Sequence, residues 1–423
     1  MRILKFCLLF VVFPVSYNIN TILIKMSNWA DLPFDIVSEI MRRLSYFDDI
    51  VIVSAVCKSW QSSIHSLEKY PLPPSSPWLM LAEESEQGND KESETTRSFF
   101  NLLDTKVYDF NLPEIVGRKC FGTSLGWLVS IGIDLQIKLF HPLSKHQISL
   151  PPQPTFFYQP HCELDPKYLR DMFVSKFVLS RSPWNSLTHE YDGDCVIVAS
   201  YEESNKLAFT RPGYKAWIDI ESSWCRCFVD IAFYKGKFYV VEHRGEVSVC
   251  CIDNNEKARI ETIAAAPKEI INLAQLYLVE SSGDLLLVQR IRGGFLYSCF
   301  EDEFEKQDMI NDNQYVTIGF TVLKLKRCTE AGSKYKYNWV KADNLGDQAL
   351  FVGDNKSVSL SASSFNGCKA NCIYFTDDSL FDYDVTINGG GYDMGIFSME
   401  DGTIKDHYPG QSLSYFSTPL WYI

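Results

Sequence analysis

The residues best able to do chemistry stand in groupings that fail on spacing or on surroundings. Gly122-Thr123-Ser124-Leu125-Gly126 matches G-x-S-x-G, the sharp turn that exposes a nucleophilic serine in hydrolases. Such a turn needs a strand before the serine and a helix after it. Here Trp127-Leu128-Val129-Ser130-Ile131 follows, which reads as a strand, so a tight turn between strands is expected. Gly389-Gly390-Gly391 is flexible, but no Lys-Ser/Thr follows for a phosphate loop and the spacing misses G-x-G-x-x-G. Asp377, Asp378, Asp382 and Asp384 could offer carboxylates to calcium. The ligand register, central Gly and closing Glu of an EF-hand are missing, so turn-capping aspartates are expected. Cys225-x-Cys227, Cys250-Cys251 and Cys368-x3-Cys372 have no partners at zinc-like spacing, and the seven histidines are scattered. These cysteines read as small buried hydrophobes. No catalytic, metal or cofactor site is expected.

The elements that would have to position any such group are mostly strands. An aromatic content of 14% favours β architecture, where large rings pack on pleated faces. Leu135 to Phe140 alternates with period two, and Cys195 to Ser200 is a buried-looking run. Ile231 to Tyr234, a Lys235-Gly236 turn and Phe238 to Val241 read as a hairpin, with Arg244-Gly245 leading on to Val247 to Val249. The rhythm returns at Leu276 to Val279, Ser282-Gly283-Asp284 and Leu285 to Val288, and again at Ile396-Phe397, Asp401-Gly402 and Thr403-Ile404. Only Pro166 to Phe173 suggests a turn or two of helix in this body. So long a run of antiparallel strands must dispose of its edges, and radial closure into a propeller does so. A large β-sandwich is the alternative, and no crisp repeat gives a blade number.

The front of the chain differs. Ile36, Val37, Ile40, Met41 and Leu44 recur at helical spacing, with Pro33 in a first turn. Ser45 and Asp48 read as the cap of a second helix over about Phe47 to Val56, and Cys57 to Ile64 would form a third. A block of about 40 residues buries too little surface to stand alone, so a partner should cover its apolar stripe. Pro71-Leu72-Pro73-Pro74-Ser75-Ser76-Pro77 is a stiff connector, and Trp78 to Leu81 looks like a first strand. The acid-rich segment 83–97 reads as a solvated loop. A net charge of −13 argues against nucleic acid, and thirteen cysteines without regular spacing argue for reduced thiols rather than a disulfide framework.

Leu32-Pro33-x-Asp35-Ile36, then Ile40 and Leu44, then Val56-Cys57-Lys58-x-Trp60, resembles an F-box. The resemblance implies a three-helix module over 27–67 that docks on a Skp-family adaptor and, through it, a cullin-RING ubiquitin ligase. It makes Leu32, Pro33, Ile36, Ile40, Leu44, Val56, Cys57 and Trp60 adaptor-facing. The sequence leaves open whether some of them, Trp60 above all, hold the module's own helices together instead. A second resemblance covers 78–421. Gly122 to Leu128, His141-Pro142-Leu143, Arg211-Pro212-Gly213, Asp230 to Tyr234, Leu345 to Phe351, Ile373 to Asp378 and Gly395-Ile396-Phe397 look like landmarks of the KIB-type β-propeller, a plant domain formerly of unknown function.

Together these give a mainly β chain with a small α head: an F-box, a Pro-rich connector over 68–77 and a propeller. The implied role is the substrate receptor of an SCF-type ligase, non-catalytic, binding an unidentified target protein and neither nucleic acid nor membrane. A propeller enzyme or ligand binder with an incidental head is the rival reading. Residues 1–25 resemble the charged and apolar regions of a signal peptide, yet the apolar run is too short to span a membrane and Pro14 interrupts it. Met26 is the expected working start, with a cytoplasmic or nuclear location. A secreted propeller is the alternative, for which the sequon Asn355-Lys356-Ser357 would matter.

Overall fold

The computed structural model describes residues 77–83 and 95–423, apart from 124–125, 143, 161–163, 186–187, 189, 203–205, 221–225, 254–256, 271–274, 294–314, 330–331, 366, 380–382 and 384–388. The helical head, the extension 1–25 and nearly all of the connector lie outside the described residues.

Six sheets follow one another along the chain, each one blade of a propeller. Blade one holds β1 (Trp78–Met80), β2 (Thr96–Asn101) and β3 (Lys106–Asn111), and takes its fourth strand from the chain's other end. Blade two is β4 (Lys119–Gly122), β5 (Leu128–Ile131), β6 (Ile137–Phe140) and β7 (Gln147–Leu150). Helix α1 (Pro166–Met172) then leads into blade three, opened by β8 (Val174–Leu179). A small hairpin, β9 (Trp184–Asn185) and β10 (Glu190–Tyr191), branches off before β11 (Ile197–Tyr201), β12 (Lys206–Thr210) and β13 (Ile218–Asp219) complete that blade. Blade four is β14 (Phe228–Tyr234), β15 (Lys237–Glu242), β16 (Val247–Ile252) and β17 (Ala258–Ala264). Blade five is β18 (Gln275–Ser281), β19 (Asp284–Gly293), β20 (Val316–Arg327) and β21 (Tyr337–Lys341). Blade six holds β22 (Gln348–Val352), β23 (Val358–Ser361), β24 (Cys372–Phe375), β25 (Gly395–Ser398) and β26 (Ile404–Lys405). The last strand, β27 (Leu420–Tyr422), returns to blade one.

Local sequence explains the elements. Lys235-Gly236 and Ser282-Gly283 have positive φ at both positions, as a two-residue type I′ hairpin requires. Asp165 caps α1 by accepting a hydrogen bond from the Lys167 N–H at 2.7 Å, and Pro166 occupies the first turn. The strand after Gly126 is β5, paired back onto β4, so the G-x-S-x-G segment joins two strands; Ser124 itself is outside the described residues. Strand β2 begins at Thr96, so Thr96 and Arg97 belong to blade one rather than to the acidic loop. Arg97 is buried and its guanidinium meets Glu83 at 3.2 Å, which pins the two ends of that loop together.

Blades bury both faces near the axis and alternate further out. Strands β4, β5 and β11 are buried at every position, whereas β7 alternates exposed and buried. The core is therefore a set of layers between blades. Val178, Phe209, Ile231 and Val240 fill the layer between blades three and four, and Val241, Leu276, Leu287 and Leu323 the next. Blade six departs from the simple meander: β22 and β24 run parallel, and β23 pairs on the other side of β22. The segment between β22 and β23 reaches blade two, where Gly122 and Asn355 form a bridge. Asn355 of the sequon is thereby 2% exposed, a position closed to a glycan.

Blades one and six meet at β27. Trp421 packs edge-on against Phe351 at 5.0 Å and against the His407 ring at 5.0 Å. His407 Nε2 donates to the Phe375 carbonyl at 3.0 Å, which fixes the tautomer, while Nδ1 has no partner among the described residues. Burial lowers its pKa to about 4, against a small opposing pull from that carbonyl. The unfolded imidazole protonates near 6.5, so stability is complete above that pH and declines as the pH falls towards 4. The decline should reach about 3 kcal/mol. Urea unfolding of wild type and His407→Gln across this window checks it: the variant should lose most of the slope, and identical slopes would refute the assignment.

Candidate functional site

The adaptor-facing set expected from sequence, Leu32, Pro33, Ile36, Ile40, Leu44, Val56, Cys57 and Trp60, lies outside the described residues. Within the propeller the chemistry concentrates on the axis, where the inner strands of several blades begin. A cavity of about 180 Å3 opens there. Lys119, Lys176, Asp230, Tyr277, Arg292 and Asp378 line it, together with Asp354. They come from blades two to six, so the site exists only when the ring is closed.

Each charge is held by a neighbouring blade. Lys176 on β8 pairs with Asp230 on β14, and the second Asp230 oxygen accepts the Leu278 N–H of β18 at 2.6 Å. One carboxylate thus ties three blades. Burial raises the Asp230 pKa, with Lys176 opposing. Lys119 donates to the carbonyls of Asp171 and Val174 at 2.7 and 3.5 Å, and burial lowers its pKa despite the facing Asp354. Asp354 accepts from the Thr418 hydroxyl at 2.8 Å, just before β27, and burial raises its pKa as well.

Behind this wall sits Arg290, fully buried on β19. Its Nε donates to Thr317 Oγ1 at 2.7 Å. One terminal nitrogen reaches the Thr376 carbonyl at 2.7 Å and Asp378 at 3.0 Å; the other reaches the carbonyl and carboxylate of Asp393 at 2.8 and 2.9 Å. All five N–H donors of the guanidinium are thereby used. Asp393 also accepts from the backbone N–H and hydroxyl of Thr317 at 2.9 and 2.8 Å. Arg292 pairs with Asp378, which accepts from the Tyr277 hydroxyl at 2.7 Å. Burial alone would raise the Asp378 pKa, but Arg292 and Arg290 hold it below the usual carboxylate range. Asp377 takes the Tyr315 hydroxyl at 2.8 Å and the Gly391 N–H at 2.7 Å.

These bonds correct two expectations. The Asp377 and Asp378 side chains are buried in a network between blades five and six; Asp377 does also cap a turn through the Ser379 N–H at 3.2 Å. Asp382 and Asp384 lie outside the described residues. Gly389 to Gly391 does connect strands of one blade, β24 and β25, but its glycines serve close approach. A Cβ on Gly391 would collide with the Ser412 carbonyl, and one on Gly390 would enter the Tyr383 ring. Cys120, Cys195, Cys250 and Cys372 are buried free thiols, and burial pushes Cys195 and Cys250 up to about 12. Sequence reading missed Arg290, Arg292, Asp230 and Lys176. The available signal was a charge set inside an apolar strand, as in Val288-Gln289-Arg290-Ile291 and Phe228-Val229-Asp230-Ile231.

A family model described as the KIB1-4 beta-propeller matches residues 99–398, and one described as the F-box domain matches residues 29–72. The chain is 24% identical over 393 residues to "Putative F-box protein At5g55150" of Arabidopsis thaliana, covering 91% of this chain and 94% of that one. It is 24% identical over 422 residues to "F-box protein SKIP23" of the same plant, covering 94% and 96%. Among solved structures, the β-propeller domain of Cps50 (Swd1) from Myceliophteria thermophila is 9% identical, covers 83% of this chain and 97% of that one, and gives a TM-score of 0.34.

Arg290→Met keeps the length of the side chain and removes one of the two cations, the other being Arg292, that Asp378 and Asp393 share. Breaking a buried ion network this way costs about 3–5 kcal/mol. Chemical denaturation of wild type and variant measures it, and a loss below about 1 kcal/mol would mean the network carries no such weight.

Proposed function

Because the chain belongs to the KIB1-4 β-propeller family and carries an F-box domain ahead of that propeller, we propose that it is the substrate receptor of an SCF-type cullin-RING ubiquitin ligase. The observation that carries the reading is the pairing itself: an F-box over 29–72 followed directly by a propeller over 99–398. The coarse build is that of a receptor-type F-box protein. The finer assignments are ours. The F-box binds a Skp-family adaptor through Leu32, Pro33, Ile36, Ile40, Leu44, Val56, Cys57 and Trp60. The propeller binds the target and performs no bond chemistry; it raises the effective concentration of target lysines near the ubiquitin-charged enzyme. Such work is done in the cytoplasm or nucleus. No helix among the described residues is long and apolar enough to cross a membrane.

Affinity purification from plant tissue tests this with wild type beside a Leu32→Ala/Pro33→Ala double variant. Wild type should bring down the adaptor and cullin, and the variant should lose both together by roughly tenfold or more while propeller partners remain. A wild-type sample without adaptor and cullin would refute the ligase role.

A further inference from the structure

At the opposite end of the strands from the axial cavity, blades three and four leave a groove of about 400 Å3. The axial cavity takes residues 174–176 and 229–230 from the starts of β8 and β14; the groove takes 180–181, 233 and 236–238 from around their ends. Arg181, Arg211 and Lys237 line it against a single carboxylate, Asp194. Arg181 and Lys237 are exposed, and Arg211 is half-buried. None of the three is in an ion pair among the described residues, although the chain as a whole carries −13. Arg211 is oriented by donating to the carbonyls of Gly193 and Asp194 at 3.4 and 3.1 Å. Half-buried Phe233 and Ile252 supply apolar floor.

Elsewhere in the described propeller, exposed Lys326 and Lys336 find carboxylates at Asp284 and Glu261. Three cations facing one carboxylate beside apolar surface give the groove a local excess of positive charge. We propose that this groove binds a short acidic segment of a partner protein. Its side-chain anions, carboxylate or phosphate, meet Arg181, Arg211 and Lys237, and an apolar side chain rests on Phe233 and Ile252. A long polyanion such as nucleic acid suits the groove less, because three cations against one carboxylate are too small a basic footprint for a run of phosphates.

The test uses the purified full-length chain and fluorescence anisotropy. The probes are a labelled glutamate-rich peptide containing one leucine, its phosphoserine counterpart, its lysine counterpart and a single-stranded oligonucleotide of equal charge. An acidic peptide should bind, and binding should weaken as salt rises. Arg181→Gln/Arg211→Gln/Lys237→Gln should lower affinity by roughly tenfold, as the loss of three exposed ion pairs implies. Tighter capture of the phosphoserine peptide assigns phosphate; equal capture assigns carboxylate. No binding of either, binding unchanged in the triple variant, or equal binding of the oligonucleotide overturns the proposal. Should the triple variant melt early, Lys237→Gln alone, at an exposed position, should still show a loss of about twofold. No adaptor enters this assay, so its failure leaves the ligase reading to its own test.

Discussion

Everything in the propeller depends on one act of closure: β27 laid antiparallel on β1, with Trp78 opposite Tyr422, Leu79 opposite Trp421 and Met80 opposite Leu420. An open row of blades would expose two sheet faces and two unpaired edges. Closure buries both with three residue pairs, because the side chains are large. Trp78, Trp421, Phe99 and Phe351 lie within the layers that flank the joint. The seam joins residues more than 300 positions apart, so it forms against a large loop-closure entropy and must be packed well to persist.

The axial charges follow from the same closure. The inner strands of blades two to five bring their first residues together with the ends of β22 and β24 around one cavity. Charged side chains there lose hydration, which is why burial raises the pKa of Asp230 and Asp354 and lowers that of Lys119. The arrangement is tolerable because nearly every charge meets a partner from a different blade: Lys176 with Asp230, Arg292 with Asp378, Arg290 with Asp393. Such contacts add less to net stability than to specificity, since a blade out of register strands a desolvated charge. They act as a check on correct closure, and the apolar layers between blades supply the adhesion.

How far this was legible in the sequence depends on the range of the interaction. Local rules reached the hairpins at Lys235-Gly236 and Ser282-Gly283, the short helix from Pro166 and the strand after Gly126, because each is decided within a few residues. The need to dispose of sheet edges pointed to a propeller over a sandwich, and six separate sheets bear that out. Blade number stayed hidden because no short motif repeats, and blade six breaks the meander with its parallel pair. The axial network was hidden for a stronger reason. Asp378 looks like a turn residue until Arg290 and Arg292, more than 80 positions away, are set beside it. Gly389 to Gly391 likewise reads as a flexible loop until Ser412 and Tyr383 occupy the space a side chain would need.

Closure also fixes where the chain enters the propeller. β27 begins on the cavity side, since Thr418, just before it, bonds to Asp354 in the cavity wall. β1 runs antiparallel to β27, and Trp78 pairs with Tyr422 at the far end. The chain therefore enters the propeller at Trp78 on the face away from the axial cavity, the same end at which the basic groove lies.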